Sequence, residues 1–261
     1  NAPAPVRMQL DVRGEENPTW TFSGRTEALD LALLGLSETS LPLAFDLKAN
    51  GAGGAADLRG RVVQGDFVAV IEPSKVRIAD EVLTVEPLAV RALEGLTTLR
   101  GRADFKDPEN PHFKFSINAR GLRWGEDVKT QIAADADLGF AGQMKAWAAT
   151  GKATLVREKQ TATVDFDGSG NGEQLRLNKL QAKMPTGTLD ATGIVGWEPQ
   201  LRWDLGAKLA GFDPGYFLAD WKGDVSGDLA SKGQARETGG FDATLEVPDL
   251  GGSLRGRKLD G

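Results

Sequence analysis

The sequence predicts a mainly β protein, an extended array of repeated antiparallel strands with one or two short helices. Three observations carry this expectation. Apolar and polar residues alternate with period two in stretch after stretch, most clearly at Leu201, Trp203, Leu205, Ala207 and Leu209, with Arg202, Asp204 and Lys208 facing away. The 33 glycines and 12 prolines suit many short elements joined by tight turns. Finally, a turn-and-strand unit recurs without gaps as NPTWTF from Asn17, NPHFKF from Asn110 and EPQLRW from Glu198. Its prolines lie roughly 90 residues apart, which points to repeats that bury one another's apolar face. Residues 1–261 therefore read as one elongated β repeat region, with approximate repeats at 1–105, 106–195 and 196–261, the last incomplete.

Taken in order, Val6, Met8, Leu10 and Val12 form a first half-buried strand that ends at Gly14, and Trp20 and Phe22 resume the alternation. Thr26 to Leu36 is ambiguous. Leu29, Leu33 and Leu36 fit a helix face while Leu29, Leu31 and Leu33 fit a strand, and the stretch is assigned to a helix. Leu41 to Ala49 alternates through Leu43, Phe45 and Leu47. Strands follow at Leu58 to Val63, Phe67 to Ile71, Val76 to Ile78, Val82 to Val85 and Leu99 to Phe105.

The cleanest strand of the middle region places Phe113, Phe115, Ile117 and Ala119 on one face and Lys114, Ser116, Asn118 and Arg120 on the other. Phe140 to Ala149, with Met144, Trp147 and Ala148 at three- and four-residue spacing, is the second candidate helix. Further strands are expected at Thr161 to Phe166, Gln174 to Leu177, Leu180 to Met184, Thr188 to Val195, Phe241 to Val247 and Ser253 to Leu259. Asp213-Pro214 opens a short helical turn that runs to Gly223.

Charge and composition narrow the function. The net charge of −6 and pI near 5.0 argue against nucleic acid as a partner. With no cysteine there are no disulfides or thiolate metal sites. The N-terminus lacks the basic start and apolar core of a signal peptide, and no run approaches the ~18 apolar residues of a membrane helix. The sequence starts without Met and stops at Leu-Asp-Gly inside a strand pattern, so it reads as an excerpt of a longer protein.

Motifs for chemistry are weak. GAGGAADLRG, from Gly51, replaces the third glycine of a nucleotide loop with Ala56 and reads better as a hairpin connection. Asp165, Asp167, Ser169, Gly170 and Glu173 resemble the start of a calcium loop, but Arg176 stands where the bidentate Glu belongs, so a glycine-rich hairpin turn is preferred. His112, the single histidine, reads as a solvent-facing turn residue and not a catalytic base. No nucleophile elbow accompanies a Ser/His/Asp set, so neither enzymatic activity nor a cofactor is expected.

LRGR, at Leu58, Leu99 and Leu254, sets paired arginines opposite Leu and Gly. They read as a solvated edge that discourages aggregation, with phosphate contacts as the alternative. Trp147 and Trp221 read as anchors that plug short helical turns onto the sheet.

The segment GTLDATGIVGWEPQLRWDLGAKLAGFDPGYFLADWKGDVSGDLASKG carries W-x-P-x-L-x-W-x-L followed by F-D-P-G-x-x-x-x-x-W-x-G, and AWAATGKATLVRE precedes it. In these motifs the chain resembles the periplasmic region of the TamB family, inner-membrane-anchored subunits of the bacterial translocation and assembly module, within the AsmA-like group. The likeness is closest from Leu138 to Gly233. It implies an elongated curled β-sheet, an open β-taco-like trough with an apolar interior, lying in the periplasm of a Gram-negative bacterium. The implied partners are an Omp85-type outer-membrane barrel, reached through the parent protein, and either phospholipid acyl chains or unfolded strands of outer-membrane proteins, including autotransporters. Neither the N-terminal anchor nor the barrel-facing C-terminal domain of such proteins is recognisable here.

A sheet with every inward position apolar offers acyl chains a strip of surface, each sheltered methylene worth roughly 0.8 kcal/mol. On that reading Phe45, Leu47, Phe113, Phe115, Ile117, Leu201, Trp203, Leu205 and Leu209 line the groove. The alternatives are a structural spacer that conducts nothing, and a closed solenoid or ligand-binding β-sandwich whose stripes are ordinary core.

Overall fold

The computed structural model describes residues 6–16, 18–30, 42–125, 131–236 and 240–260. Among the described residues it is an antiparallel sheet of seventeen strands, whose only helical pieces are two 3-10 turns, Pro214–Tyr216 and Ala219–Trp221. Among the described residues the first strand pairs only with the second and the last only with its predecessor, so the sheet they form is not closed on itself.

The chain divides into two compact units. The first, residues 1–111 and 115–123, contains β1 (Arg7–Arg13), β2 (Thr19–Asp30), β3 (Pro42–Ala52), β4 (Ala55–Gln64), β5 (Phe67–Ala79), β6 (Val82–Ala92), β7 (Gly95–Asp104) and most of β8 (His112–Trp124). Successive strands pair antiparallel from β1 to β7. The Asn118 carbonyl beside Thr98 Oγ1 at 3.5 Å, and Arg123 N donating to the Leu93 carbonyl at 2.7 Å, set the later part of β8 alongside β7.

The second unit, residues 112–114 and 124–261, holds the start of β8 followed by β9 (Ile132–Gln143), β10 (Ala146–Arg157), β11 (Gln160–Gly170), β12 (Gln174–Lys183), β13 (Thr188–Gly196), β14 (Arg202–Phe212), β15 (Gly223–Ala235), β16 (Phe241–Leu254) and β17 (Arg257–Asp260). These again pair in chain order from β9 to β17.

Two-residue hairpins recur. Gly53-Gly54 joins β3 to β4, so the glycine-rich stretch is the connection its sequence suggested. Asp80-Glu81 and Leu93-Glu94 turn with positive φ at both positions, the conformation whose twist matches that of the flanking strands.

Several local expectations change. Phe140 to Ala149 is not a helix: Met144-Lys145 is the turn of the β9–β10 hairpin, and the helical spacing of Met144, Trp147 and Ala148 arises from counting across that turn. Thr26 to Asp30 is the end of β2 instead of a helix, and the rest of that stretch lies outside the described residues. Phe67 to Ile71 and Val76 to Ile78 are one strand, β5, with a gap in its pairing to β6 between Ile71 and Val76, the stretch holding Pro73, which has no N–H to donate. All of β1 is exposed, not half-buried; among the described residues it has a sheet neighbour on one side only. The third LRGR is the β16–β17 turn, with Arg255 and Gly256 at positive φ.

Candidate functional site

In an antiparallel ladder, residues directly opposite one another share a face. Following register partners from strand to strand therefore shows what each face presents. In the second unit one such lane runs Phe140, Ala149, Gly168, Leu177, Gly193, Leu205, Ser231, Leu245. A second runs Leu138, Gly151, Phe166, Leu180, Ala191, Ala207, Leu229, and a third Ala136, Ala153, Val164, Ala182, Leu189, Leu209, Gly227, Leu250.

The opposite face is charged: Asp137, Lys152, Asp165, Gln181, Asp190, Lys208, Asp228 and Asp249 form one lane. Lys152 reaches Asp165 at 3.7 Å and Gln181 Nε2 donates to Asp190 at 2.7 Å.

The first unit repeats the arrangement. Met8, Gly24, Leu47, Gly60, Ile71, Val90 and Thr97 lie in one lane, and Thr26, Phe45, Val62 and Ala69 in another. Large side chains alternate with glycine because neighbours in a lane are only about 5 Å apart. A Cβ on Gly60 would sit 2.6 Å from Leu47 Cδ2, and one on Gly193 2.9 Å from Leu205 Cδ2.

The tightest form of this packing is a Trp laid over a facing Gly. Trp20 faces Gly51, Trp147 faces Gly170 and Trp203 faces Gly233. Cβ atoms added at those glycines would lie 2.7, 2.4 and 2.2 Å from the indoles. Each indole N–H is also directed at an acceptor on the protein: the Gly53 carbonyl at 3.4 Å, the Asn171 carbonyl at 3.1 Å and Ser231 Oγ at 3.0 Å. Trp147 thus sits on a strand, not on a helical turn. Trp221 does close a 3-10 turn, with the Arg255 guanidinium 5.7 Å above its ring.

The residues expected to line a groove fall as follows. Phe45 and Leu47 lie in lanes of the first unit, and Phe115 and Ile117 are half-buried on β8. Phe113 packs on Phe140 with ring centroids 5.9 Å apart. Trp203, Leu205 and Leu209 lie in lanes of the second unit, while Leu201 stands just ahead of β14, 40% exposed. Phe140, Phe166 and Leu177 share those lanes. Phe140 was masked by the helical reading of its segment, and the other two are identified as lane residues only by cross-strand register.

One end of the apolar face is covered by the chain itself. After β14 the segment with the first 3-10 turn folds back across the strand ends, and Tyr216, only 4% exposed, packs with Ala162, Ala182 and Met184. Its hydroxyl donates to the Leu155 carbonyl at 2.9 Å, and Arg157 Nη1 donates to the carbonyls of Gly215 and Tyr216, both at 2.7 Å. Asp213 caps the turn, accepting from Gly215 N at 2.8 Å and Gly223 N at 2.9 Å. Loss of water around the phenol pushes the Tyr216 pKa above the ordinary tyrosine value.

The positions that suggested other chemistry lie on strands and a hairpin turn. Asp165, Asp167 and Ser169 lie on β11, which turns through Asn171-Gly172-Glu173 into β12, with Asn171 Oδ1 accepting from Glu173 N and Gln174 N. The single histidine opens β8, exposed, with Nε2 2.7 Å from Gln143 Nε2. Among the described residues no helix is long and apolar enough to cross a membrane.

A family model described as TamB, N-terminal domain, matches residues 91–261. No solved structure matches the chain.

Proposed function

The chain belongs to the TamB N-terminal-domain family, a family of periplasmic regions of envelope proteins, and from that premise we propose that its apolar lanes shelter hydrocarbon in transit between the two membranes. The cargo on this reading is phospholipid acyl chains, or the apolar side of unfolded outer-membrane protein strands on their way to an Omp85-type barrel. The chain acts as a carrier surface and not as an enzyme, within a parent protein anchored in the inner membrane.

The observation that supports this most directly is the lane from Phe140 to Leu245. It crosses eight strands with seven apolar or glycine positions and one serine. At about 4.8 Å per strand it is on the order of 34 Å long. The hydrocarbon depth of one leaflet is about 15 Å, half of a ~30 Å bilayer core, so an extended acyl chain fits along the lane. Because apolar side chains recur along the lane with no single dominant pocket, binding is spread out and favours sliding over tight capture.

Native mass spectrometry of the purified protein, followed by extraction of whatever co-purifies, tests the reading. Phospholipid adducts are expected on the wild type and reduced in Leu205→Glu. Leu245→Glu makes the same change at a position 68% exposed, where a smaller effect on folding is expected. Adduct loss in both variants, with far-ultraviolet circular dichroism unchanged, supports the lanes as the binding surface. A clean mass for the wild type even after incubation with phospholipid overturns it.

The spacer reading keeps one observation in its favour, the buried cluster around Tyr216. There the protein fills its own apolar face.

A further inference from the structure

We propose that the first unit also carries an anion site for a phosphate-bearing ligand, on the sheet face opposite its apolar lanes. Arg25, Asp46, Lys48, Arg59 and Arg61 line a cleft of about 760 Å³ there. This goes beyond the apolar-lane reading, since these five charged side chains belong to no lane, although the lane residues Thr26, Phe45, Gly60 and Ile71 also border the cleft.

The strand register brings the cations together. Lys48 on β3 lies directly opposite Arg59 on β4, and Asp46 lies between Arg25 and Arg61. Like charges in facing positions destabilise a ladder unless something neutralises them. Within the cleft four cations meet two carboxylates, Asp46 and Glu27, and Glu27 is already held by Arg25 Nη2 at 3.2 Å. The surplus is positive in a protein whose net charge is −6, so the cluster runs against the average of the surface.

Arg59 and Arg61 are two residues apart on one strand and project to the same side, where two guanidinium forks can close on one phosphate group. Ala44, Val63, Val70 and Pro73 also line the cleft, giving apolar contact beside the charge. The recognised chemistry is therefore a phosphate mono- or diester, whether on a lipid headgroup or on a soluble molecule.

The second LRGR supplies an internal control. Arg102, the counterpart of Arg61, faces Thr84 where Arg61 faces Asp46, and Arg100, the counterpart of Arg59, falls at a break in the β6–β7 register. Across β6, Arg100 thus lacks the facing cation that Lys48 presents to Arg59.

Calorimetric titration of the full chain with inorganic phosphate tests the site. Saturable binding is expected, weakened roughly tenfold or more in Arg59→Ala/Arg61→Ala and little changed in Arg100→Ala/Arg102→Ala. All four arginines are exposed, and circular dichroism checks that both variants keep the β signal. Absence of saturable binding, or equal weakening in the two variants, overturns the proposal. Flotation with phosphatidylcholine vesicles, with and without phosphatidylglycerol, then assigns the source. Flotation that needs phosphatidylglycerol and is reversed by phosphate identifies a lipid headgroup, whereas phosphate binding without flotation identifies a soluble phosphorylated ligand. The lane substitution Leu205→Glu leaves phosphate binding intact on this proposal, so failure of either site is read separately.

Discussion

The first strand and the covered end of the second unit carry the same alternation with opposite outcomes. In β1, Met8, Leu10 and Val12 lie in register with Gly24, Phe22 and Trp20, yet Leu10 is 64% exposed. At the end of β10 and β11, Leu155 lies in register with Ala162, and Ala162 is 0% exposed. What separates them is a third layer. Tyr216 reaches the second place from a connection several strands away, and among the described residues nothing reaches the first. Pairing into a sheet chooses which face a side chain is on, and only a further element takes it out of water.

Truncating each partner is the sharpest way to break that comparison. Tyr216→Ala removes a ring buried among Ala162, Ala182 and Met184 together with its hydroxyl bond to the Leu155 carbonyl, so a loss of about 3–5 kcal/mol is expected. Leu10→Ala, in an equally regular strand, is expected to cost about 0.5 kcal/mol or less. Urea unfolding of the two variants checks both values. Similar costs would mean that β1 is covered in solution.

A smaller effect separates lane packing from coverage. Gly170→Val puts a branched side chain where even a Cβ would meet the Trp147 ring at 2.4 Å, for an expected cost of about 1–3 kcal/mol. Trp147 fluorescence should shift as the indole is lifted from the strand. An unshifted spectrum with wild-type stability would show that the Trp–Gly pairs are not tightly packed.

The smallest effect is in pH. The Tyr216 phenol is held protonated by burial, so its folded-state pKa lies above the unfolded value near 10. A group raised in this way contributes stability that is fully present below the unfolded pKa and lost as pH rises through the folded one. Stability should therefore fall above about pH 10, and less so in Tyr216→Phe. As the chain has a single tyrosine, phenolate absorbance reads this residue alone. Ionisation at the ordinary value would mean that the turn stands away from the sheet.

Much of the fold is legible in the sequence. Val164 and Phe166, or Trp203 and Leu205, declare their shared face because a β backbone sends alternate side chains to opposite sides. Asp213-Pro214 announces its turn through a side chain able to cap and a ring able to start a helical turn. The misreadings fall where a local count crosses a reversal, as at Phe140 to Ala149, or where an edge strand lacks a cover, as at β1. The candidate site was half legible. Leu205 and Leu209 could be named from one strand, whereas Phe166 and Leu177 become their neighbours only through the registers of β11 to β14.

Sequence alone determined the strand-rich class, turns such as Gly53-Gly54 and Asp213-Pro214, the alternation within most strands and the family likeness, because each depends on backbone geometry or on residues close together in the chain. Tertiary structure decided the rest: that glycines lie beneath Trp20, Trp147 and Trp203, that Lys48 meets Arg59, and that Tyr216 covers Ala162 while Leu10 stays in water. These are contacts between residues distant in sequence. They depend on strand register and on where a connection folds back, and no local alternation specifies either.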